Sequence, residues 1–257
     1  MSSLFLYNML LQLKNISHSF SSEKQLFSGL SLDINEGSIY ALLGSNGSGK
    51  TTLFNIITGF IKLQSGEICL KDKNIADLTP YEINRQGMGR TFQDLRLISR
   101  LTVKENILLA LPGDPTADWR KALLPLGIYK HDLQKLRTIA NDILETFFLS
   151  DVGDSMASSI SFGQQKLLNL ACCVANRAEL LLLDEPVAGI SPHYREQITS
   201  LILQLKQEGK TILMIEHNTD FIAATADRFL FLDEGKISAF DTFNQLKNSQ
   251  QAANAYF

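Results

Sequence analysis

A glycine-rich stretch, GSNGSGKT over residues 44–51, carries the residue types best suited to bind phosphate. It matches the pattern G-x-x-x-x-G-K-[ST] with Gly44, Ser45, Asn46, Gly47, Ser48, Gly49, Lys50 and Thr51. Glycines let the backbone turn tightly, so that successive N–H groups face one concavity. Lys50 would place a positive charge on the outer phosphates, and the hydroxyl of Thr51 could hold Mg²⁺. The alternative is a glycine-rich turn that carries an exposed lysine.

Two adjacent acids, Asp184 and Glu185, end a run of four leucines in ELLLLDEP (179–186). Adjacent carboxylates can simply end a strand. Beside a phosphate-binding loop their roles separate: Asp184 would hold Mg²⁺ through water, and Glu185 would orient and deprotonate the attacking water. The pair therefore favours hydrolysis over passive nucleotide binding.

Two further polar residues stand where strands should end. Gln93 closes GRTFQ and His217 closes TILMIEH. Ligands of open α/β sheets bind at the carboxyl ends of the strands, so we expect both side chains to reach the phosphate site. Gln93 would contact Mg²⁺ and the attacking water, and His217 would hydrogen-bond the terminal phosphate. A lone histidine is, however, more often structural.

The stretch SSISFGQQKLLNLACC (158–173) places Ser161 and Gly163 just before an apolar run with helical spacing. Such residues are ordinary helix caps. They also form a helix N-terminus that an anion could occupy. The stretch by itself leaves both interpretations open.

These residues require an alternation of strands and helices around them. Strands are predicted at 10–20, 30–34, 38–44, 65–75 (two strands around a turn), 88–93, 179–186, 210–217 and 228–240 (a hairpin). Helices are predicted after Gly49, at 80–87 with a proline in the first turn, and at 194–209. Residues 94–165 differ, because their patterns indicate mainly helices. The continuous apolar runs are typical of strands in a parallel sheet.

Composition narrows the class of protein. The chain has 257 residues, of which 45% are hydrophobic and 20% charged, as in ordinary globular proteins. The net charge of −3 argues against a general nucleic-acid partner. The three cysteines lack metal-ligand spacing, and Cys172 and Cys173 are expected to pack in the core. No run of 18 apolar residues occurs, and the first residues lack the features of a signal peptide. We expect residues 1–8 to form a tail.

Five motifs in this order resemble those of ATP-binding cassette (ABC) ATPases over nearly the whole chain. They are Walker A at 44–51, a Q-loop glutamine at Gln93, a signature at 160–164, Walker B at 180–185 and a switch histidine at His217. The resemblance implies an α/β P-loop NTPase fold. It has a RecA-like core, an antiparallel β-subdomain and an α-helical subdomain.

The resemblance also implies one ABC ATPase domain over residues 9–257. Residues 9–93 and 166–257 would form the RecA-like core with the β-subdomain. Residues 94–165 would form the helical subdomain that carries the signature.

The family's contacts, carried over by position, extend the site. Thr52 would join the phosphate loop, and Phe20 would stack on adenine, with core packing as the alternative for Phe20. Family members work as head-to-tail dimers with two ATP molecules between the subunits. Ser161, the N–H of Gly163 and Gln164 would therefore bind the partner's ATP. The implied cofactors are ATP and Mg²⁺.

Two residues depart from the family pattern. Phe162 replaces a glycine in the signature, and Ser191 replaces the acid of the D-loop. Neither change touches the Walker motifs, so hydrolysis is expected to survive. The segment GRTFQDLRLISRLTVKENILLA is similar to that of ATPases from branched-chain amino acid uptake systems, which often carry an aromatic residue in the signature.

The resemblance therefore implies an ATPase subunit that drives import of branched-chain or related amino acids. Its partners would be transmembrane permease subunits, a second ABC ATPase and a solute-binding protein, with no nucleic acid. It would lie in the cytoplasm on the inner face of the membrane. Alternatives are the ATPases of urea or amide import and of lipopolysaccharide export, a soluble non-transport ABC protein, and a degenerate subunit that binds nucleotide without hydrolysis.

Overall fold

The computed structural model describes residues 8–20, 25–112 and 126–249, with the backbone alone described for 126–133. All but one residue of the predicted N-terminal tail lies outside these ranges. Strands in the described ranges are β1 (Met9–Ser19), β2 (Gln25–Asn35), β3 (Ile39–Leu43), β4 (Ser65–Leu70), β5 (Lys73–Asn74), β6 (Met88–Arg90), β7 (Leu180–Asp184), β8 (Thr211–Ile215), β9 (Arg228–Asp233) and β10 (Lys236–Phe240).

Helices surround these strands. In the described ranges they are α1 (Lys50–Ile57), α2 (Pro80–Arg85), α3 (Val103–Ala110), α4 (Leu126–Thr146), α5 (Phe162–Ala175), α6 (Pro192–Gln207), α7 (Thr219–Thr225) and α8 (Phe243–Lys247). Several begin with a capping box, in which a Thr or Ser and the residue three places later satisfy each other's backbone N–H groups; α3 has Thr102 and Glu105 in this role. No helix among the described residues is long and apolar enough to cross a membrane.

A six-stranded sheet in the order β10-β9-β3-β8-β7-β6 forms the centre of the molecule. Its strands are parallel except for β10, which pairs antiparallel with β9. Three of its strands, β3, β7 and β8, are five-residue runs buried along their whole length. This burial explains why they read as continuous apolar stretches.

A second sheet, in the order β2-β1-β4-β5, is antiparallel. The sequence predicts the second strand only from residue 30, whereas β2 begins at Gln25, because it pairs with the long β1 back to Ser19. The two sheets give the α/β layout with an antiparallel accessory sheet that the sequence predicts.

The side chains on the two faces of the central sheet pack into two separate apolar cores. Along β3, Ile39, Ala41 and Leu43 belong to one core, and Tyr40 and Leu42 to the other. The first core includes residues of α3 to α7, and the second includes α1 and the antiparallel sheet. The sheet is therefore covered on both sides, and its strand ends are held in fixed relative positions.

The described part of residues 94–165 contains α3, α4 and a short 3₁₀ turn over 150–152. Its buried side chains, such as Val103 and Leu144, belong to the same core as α5. The division of the chain at residues 94 and 165 stays a prediction.

The predicted strand over 88–93 is wrong at its carboxyl end. Strand β6 stops at Arg90, and the N–H of Thr91 makes one more bond to the carbonyl of Leu182 before the chain leaves the sheet. Gln93 is therefore three residues past the strand, in a bend. His217 likewise lies two residues beyond the end of β8.

Candidate functional site

A cavity of about 490 Å³ opens at the carboxyl ends of the central strands. Most of the residues that the sequence predicts for nucleotide binding line it. The lining residues are Phe20, Leu26, Asn46, Gly47, Gly49, Lys50, Thr51, Thr52, Gln93, Glu185, Ile215 and His217. The phosphate loop, the Q-loop glutamine, the glutamate after β7 and the histidine after β8 thus meet at one place.

The phosphate loop joins β3 to α1 in a conformation that requires glycine. Gly44 has a φ of 151°, and a Cβ there would overlap the carbonyl oxygen of Leu232 on β9. Gly44 and Ser45 also direct their carbonyl oxygens at Lys50, whose Nζ donates to both at 2.7 and 3.0 Å. Lys50 therefore holds the loop around its own ammonium group.

Lys50 itself is buried, which lowers the pKa of its amine, whereas the negative charges of Glu185 and Asp184 act to raise it. The buried hydroxyl of Ser48 has no hydrogen-bond partner in the described structure. An unpaired buried donor beside a positive charge suits an anionic ligand such as a phosphate group.

Phe20 directly follows β1 and lines the same cavity. Its side chain is 68% exposed, and the ring of His18 meets it edge-on at 5.0 Å between centroids. An exposed ring on a cavity wall is a platform on which a planar base can stack. The exposed position favours the prediction that Phe20 stacks on adenine over the alternative that it packs in the core.

Glu185 lies between two of the other predicted catalytic side chains. Nε2 of Gln93 donates to its Oε2 at 3.3 Å, and Nε2 of His217 is 3.6 Å from its Oε1. The carboxylate is partly buried and faces the cavity. This is the arrangement expected of a base that orients water beside a phosphate.

Asp184 occupies a different position from its neighbour. Its side chain is 3% exposed, and within the described residues it is absent from the lining of the main cavity. Burial raises the pKa of its carboxyl group, and the nearby Arg90, 3.7 Å away, acts in the opposite direction. Asp184 is thus buried beside Arg90, and its contact with a ligand in the cavity would run through water.

Arg90 is the first residue of the site that the sequence analysis did not identify. Its guanidinium donates to Asn55 and Thr58 on and just after α1, both at 2.8 Å, and pairs with Asp184. Burial lowers its pKa to about 10, although Asp184 acts to raise it. Arg90 therefore connects the helix of the phosphate loop to the end of β7. The sequence feature that could have identified Arg90 is a charged residue at the end of the otherwise buried strand β6.

Two more residues outside the predicted set hold the backbone around Glu185. Nζ of Lys166, on α5, donates to the Glu185 carbonyl at 2.8 Å. The carboxylate of Glu216 is 2% exposed and accepts the N–H groups of Val187, His217 and Asn218 at 2.7–3.0 Å. Glu216 thus ties the segment after β7 to the segment after β8. Glu216 could have been identified from the sequence, because it is an acid directly after an apolar strand. Lys166 lies within a helix, and its position in the sequence does not indicate its role.

The signature residues lie apart from this cavity. Ser161 caps α5, where its Oγ accepts the N–H of Gln164 at 3.3 Å and the Gln164 side chain accepts the N–H of Ser161 at 2.9 Å. Among the residues described, Ser161, Gly163 and Gln164 are all missing from the cavity lining. Phe162 is half exposed, with its ring near Lys166 and Gly189. Ser161 thus acts as an ordinary helix cap. The N-terminal end of α5 remains exposed outside the cavity, where a separate molecule could contact it.

The side chains near the phosphate loop also fit a magnesium ion. Thr51 and Gln93 line the cavity and carry oxygen atoms, and the buried Asp184 provides a carboxylate. Mg²⁺ prefers oxygen ligands and is commonly held by one or two side chains together with phosphates and waters. The donor set matches that preference.

Comparisons with known proteins agree with this geometry. The sequence pattern of the ABC transporter family matches residues 27–188. The chain is 33% identical over 228 residues to the "high-affinity branched-chain amino acid transport ATP-binding protein LivG" of Escherichia coli (strain K12), covering 88% of this chain and 89% of that protein. It is 31% identical over 247 residues to a "probable branched-chain amino acid transport ATP-binding protein LivG" of Archaeoglobus fulgidus, covering 96% and 95%.

Solved structures show the same fold. A nucleotide-free ATP-binding cassette from an ABC transporter superimposes with a TM-score of 0.82 at 29% identity, covering 97% of this chain and 99% of the other. A cassette in its ADP conformation superimposes with a TM-score of 0.81 at 29% identity, covering 96% of this chain and 98% of the other. The predicted fold class is confirmed. The chain therefore belongs to the ABC transporter family, and its fold is that of the family's ATP-binding cassettes.

Proposed function

We propose that this chain binds and hydrolyses ATP with Mg²⁺ and thereby drives import of branched-chain or related amino acids. The observation that carries the catalytic part is the position of Glu185, between Gln93 and His217 at the wall of the phosphate-loop cavity. The transport part is supported by the relatives, whose names describe ATP-binding proteins of branched-chain amino acid transport.

The residues of the cavity divide the catalytic work. Phe20 stacks on the base, and Lys50 with the loop N–H groups holds the phosphates. Thr51, Gln93 and Asp184 would hold Mg²⁺, which would neutralise charge on the phosphates. Glu185 accepts a proton from the attacking water.

Gln93 and His217 flank the Glu185 carboxylate and fix its direction. Both side chains also carry N–H groups that can donate to a phosphate or to the water. A base whose orientation is fixed before the substrate binds needs little reorganisation during the reaction.

The complete site requires a second ATP-binding subunit. Ser161, the N–H of Gly163 and Gln164 lie at a helix N-terminus outside the cavity, where they suit the phosphates of ATP bound to a partner. ATP held by both subunits favours the closed dimer, and hydrolysis removes that preference.

The transported solute touches other subunits. Transmembrane permease partners would carry it across the membrane, with a solute-binding protein supplying it, and this chain would lie on the cytoplasmic face. The assignment to branched-chain amino acids therefore rests on sequence similarity to the LivG proteins.

The variant Glu185→Gln tests the catalytic proposal. We expect ATP to bind normally and phosphate release to fall by about 10²–10⁴-fold, because the amide cannot accept the proton. The ATP-bound protein should accumulate as a dimer, measured by sedimentation. The control is Glu67→Gln, on an exposed position of β4, which should hydrolyse ATP like the unaltered chain.

An unchanged rate for Glu185→Gln would remove Glu185 from the role of base. The transport part is tested separately, by uptake of labelled leucine in cells that lack this chain. Uptake should return with the unaltered chain and stay absent with Glu185→Gln. Uptake that is independent of the chain would overturn the solute assignment and leave the ATPase intact.

A further inference from the structure

Tyr194 connects the two helices that carry the dimer-facing segments of this chain. It lies in the first turn of α6, directly after the D-loop, and its hydroxyl is 3.0 Å from Oγ of Ser161 at the start of α5. Neither the resemblance nor the cavity lining assigns it a role.

The ring of Tyr194 packs on the backbone of the signature. A Cβ added to Gly163 would overlap three carbons of that ring. Gly163 is the N2 residue of α5 and lacks the positive φ that would by itself demand glycine. The absence of a side chain at residue 163 therefore makes room for the tyrosine, and the close fit fixes the position of the phenol.

The phenol of Tyr194 limits which hydrogen bonds the Ser161 hydroxyl can still make. A serine hydroxyl has one proton to donate and two lone pairs that accept. The N–H of Gln164 donates to one lone pair at 3.3 Å. Either hydroxyl of this pair can be the donor. In the arrangement in which Tyr194 donates, both lone pairs of the Ser161 Oγ are occupied, and the remaining capacity of Ser161 is to donate its own proton to another acceptor.

We propose that Tyr194 is a positioning residue that turns Ser161 into a dedicated hydrogen-bond donor for the terminal phosphate of ATP on the partner subunit. This inference rests on the proposed function, since it deepens the trans-acting role of the signature. A phosphate oxygen is an acceptor, so a hydroxyl fixed as a donor binds it without first breaking a competing bond.

The same contact links two motifs mechanically. Because Tyr194 follows the D-loop and touches the signature, the two segments keep a fixed spacing when they meet a partner. The ring of the neighbouring His193 contacts the Tyr194 ring, with 5.4 Å between the centroids. The signature is thus oriented before the dimer forms.

The test is Tyr194→Phe, which keeps the ring over Gly163 and removes only the hydroxyl. The assay is ATP-dependent dimerisation in a Glu185→Gln background, followed by sedimentation across a range of ATP concentrations. We expect the ATP concentration at half-dimerisation to rise about two- to tenfold, as for one lost hydrogen bond. In the hydrolysis-competent protein, KM for ATP should rise more than kcat falls. ATP binding to the monomer at low protein concentration should be unchanged.

Tyr81→Phe is the matched control, because it removes the same group from an exposed tyrosine on α2. It should leave dimerisation unchanged. The decisive comparison is a double-mutant cycle with Ser161→Ala. If Tyr194 acts through Ser161, Tyr194→Phe should have no further effect once the serine hydroxyl is gone.

The outcomes separate this inference from the proposed function. If Ser161→Ala weakens dimerisation and Tyr194→Phe does not, the role of Tyr194 is overturned and the trans-acting signature stands. Additive effects of the two substitutions would also overturn it. If Ser161→Ala and Tyr194→Phe both leave ATP-dependent dimerisation unchanged, the trans-acting signature itself fails, and the role of Tyr194 fails with it.

Discussion

At the scale of single residues, Glu185, the proposed catalytic base, has an unfavourable backbone conformation. Its φ of 49° lies in the left-handed region, which costs a residue other than glycine roughly 1–3 kcal/mol at such sites. The surroundings impose this conformation, because the Glu185 N–H donates to Ile215 on β8 at 2.9 Å and its carbonyl accepts from Lys166. The carboxylate thereby faces Gln93 and His217.

Lys166→Met should slow hydrolysis without weakening nucleotide binding. Nζ of Lys166 is the buried donor that holds the Glu185 carbonyl, and burial lowers the pKa of its amine. Without this bond the base loses its fixed position, and kcat should fall by about ten- to hundredfold. Steady-state phosphate release measures the rate, and a fluorescent ATP analogue measures binding to the monomer.

Two comparisons make the Lys166 prediction specific. Lys14→Met removes an exposed lysine on β1 and should behave like the unaltered chain. Lys166→Arg keeps a donor and should retain more activity than Lys166→Met. Equal kcat values for Lys166→Met and the unaltered chain would contradict the positioning role.

At the scale of elements, α5 serves two functions along its length. Its first turn presents Ser161 and the N–H of Gly163, whereas its later turns pack Leu167 and Leu170 into the core below the central sheet. Because one rigid helix spans both regions, the position of the signature depends on the packing of the core.

The cysteines of α5 provide a chemical test of that packing. Burial raises the pKa of Cys172 and Cys173 to about 12 from 9.0, so their thiolates are scarce in the folded protein. At about pH 8.5, iodoacetamide should modify the buried Cys173 only after unfolding, and the partly exposed Cys172 much more slowly in the native protein than after unfolding. Peptide mass spectrometry of native and urea-treated protein measures the difference. Rapid labelling of Cys173 in the native protein would contradict the packing.

The same thiols affect stability with a defined sign. Their folded pKa lies above the unfolded value of 9.0, so their contribution is complete below pH 9.0 and is lost as the pH rises towards about 12. Between these values the free energy of unfolding of the unaltered chain should fall more than that of the Cys172→Ala/Cys173→Ala variant. Urea denaturation at several alkaline pH values checks this.

At the scale of the whole molecule, the two proposed halves of the ATP site lie apart on one chain. The phosphate loop and Glu185 share one cavity, whereas the signature is outside it, among the described residues. Two copies arranged head to tail would combine the halves twice, once at each end of the interface.

Mixing two inactive variants tests this arrangement. Lys50→Met disables the phosphate loop, and Ser161→Arg blocks the signature while sparing ATP binding to the monomer. Each variant alone should release little phosphate. In an equal mixture, half of the dimers contain one copy of each variant. Each mixed dimer has one site with an intact loop and an intact signature, so roughly a quarter of all sites should be intact and phosphate release should recover accordingly. No recovery, with dimers present by sedimentation, would contradict a site built from two subunits.

Much of the candidate site followed from local patterns. The loop at 44–51, the acids at the end of β7 and the polar residues after β6 and β8 are each recognisable within a few residues of sequence. The rule that strand ends meet at one edge of a parallel sheet then predicted their convergence, which the cavity lining shows for the loop, Gln93, Glu185 and His217.

The sequence by itself determined the family and the fold class and predicted the residues of the candidate site, because glycine spacing and apolar periodicity are local consequences of backbone chemistry. Only the tertiary structure decided how those residues are held. Arg90 joins α1 to β7, Lys166 and Glu216 fix the backbone around Glu185, and Tyr194 meets Ser161. These contacts join residues that are 19 to 94 positions apart in the sequence, and such long-range packing leaves no periodic trace there.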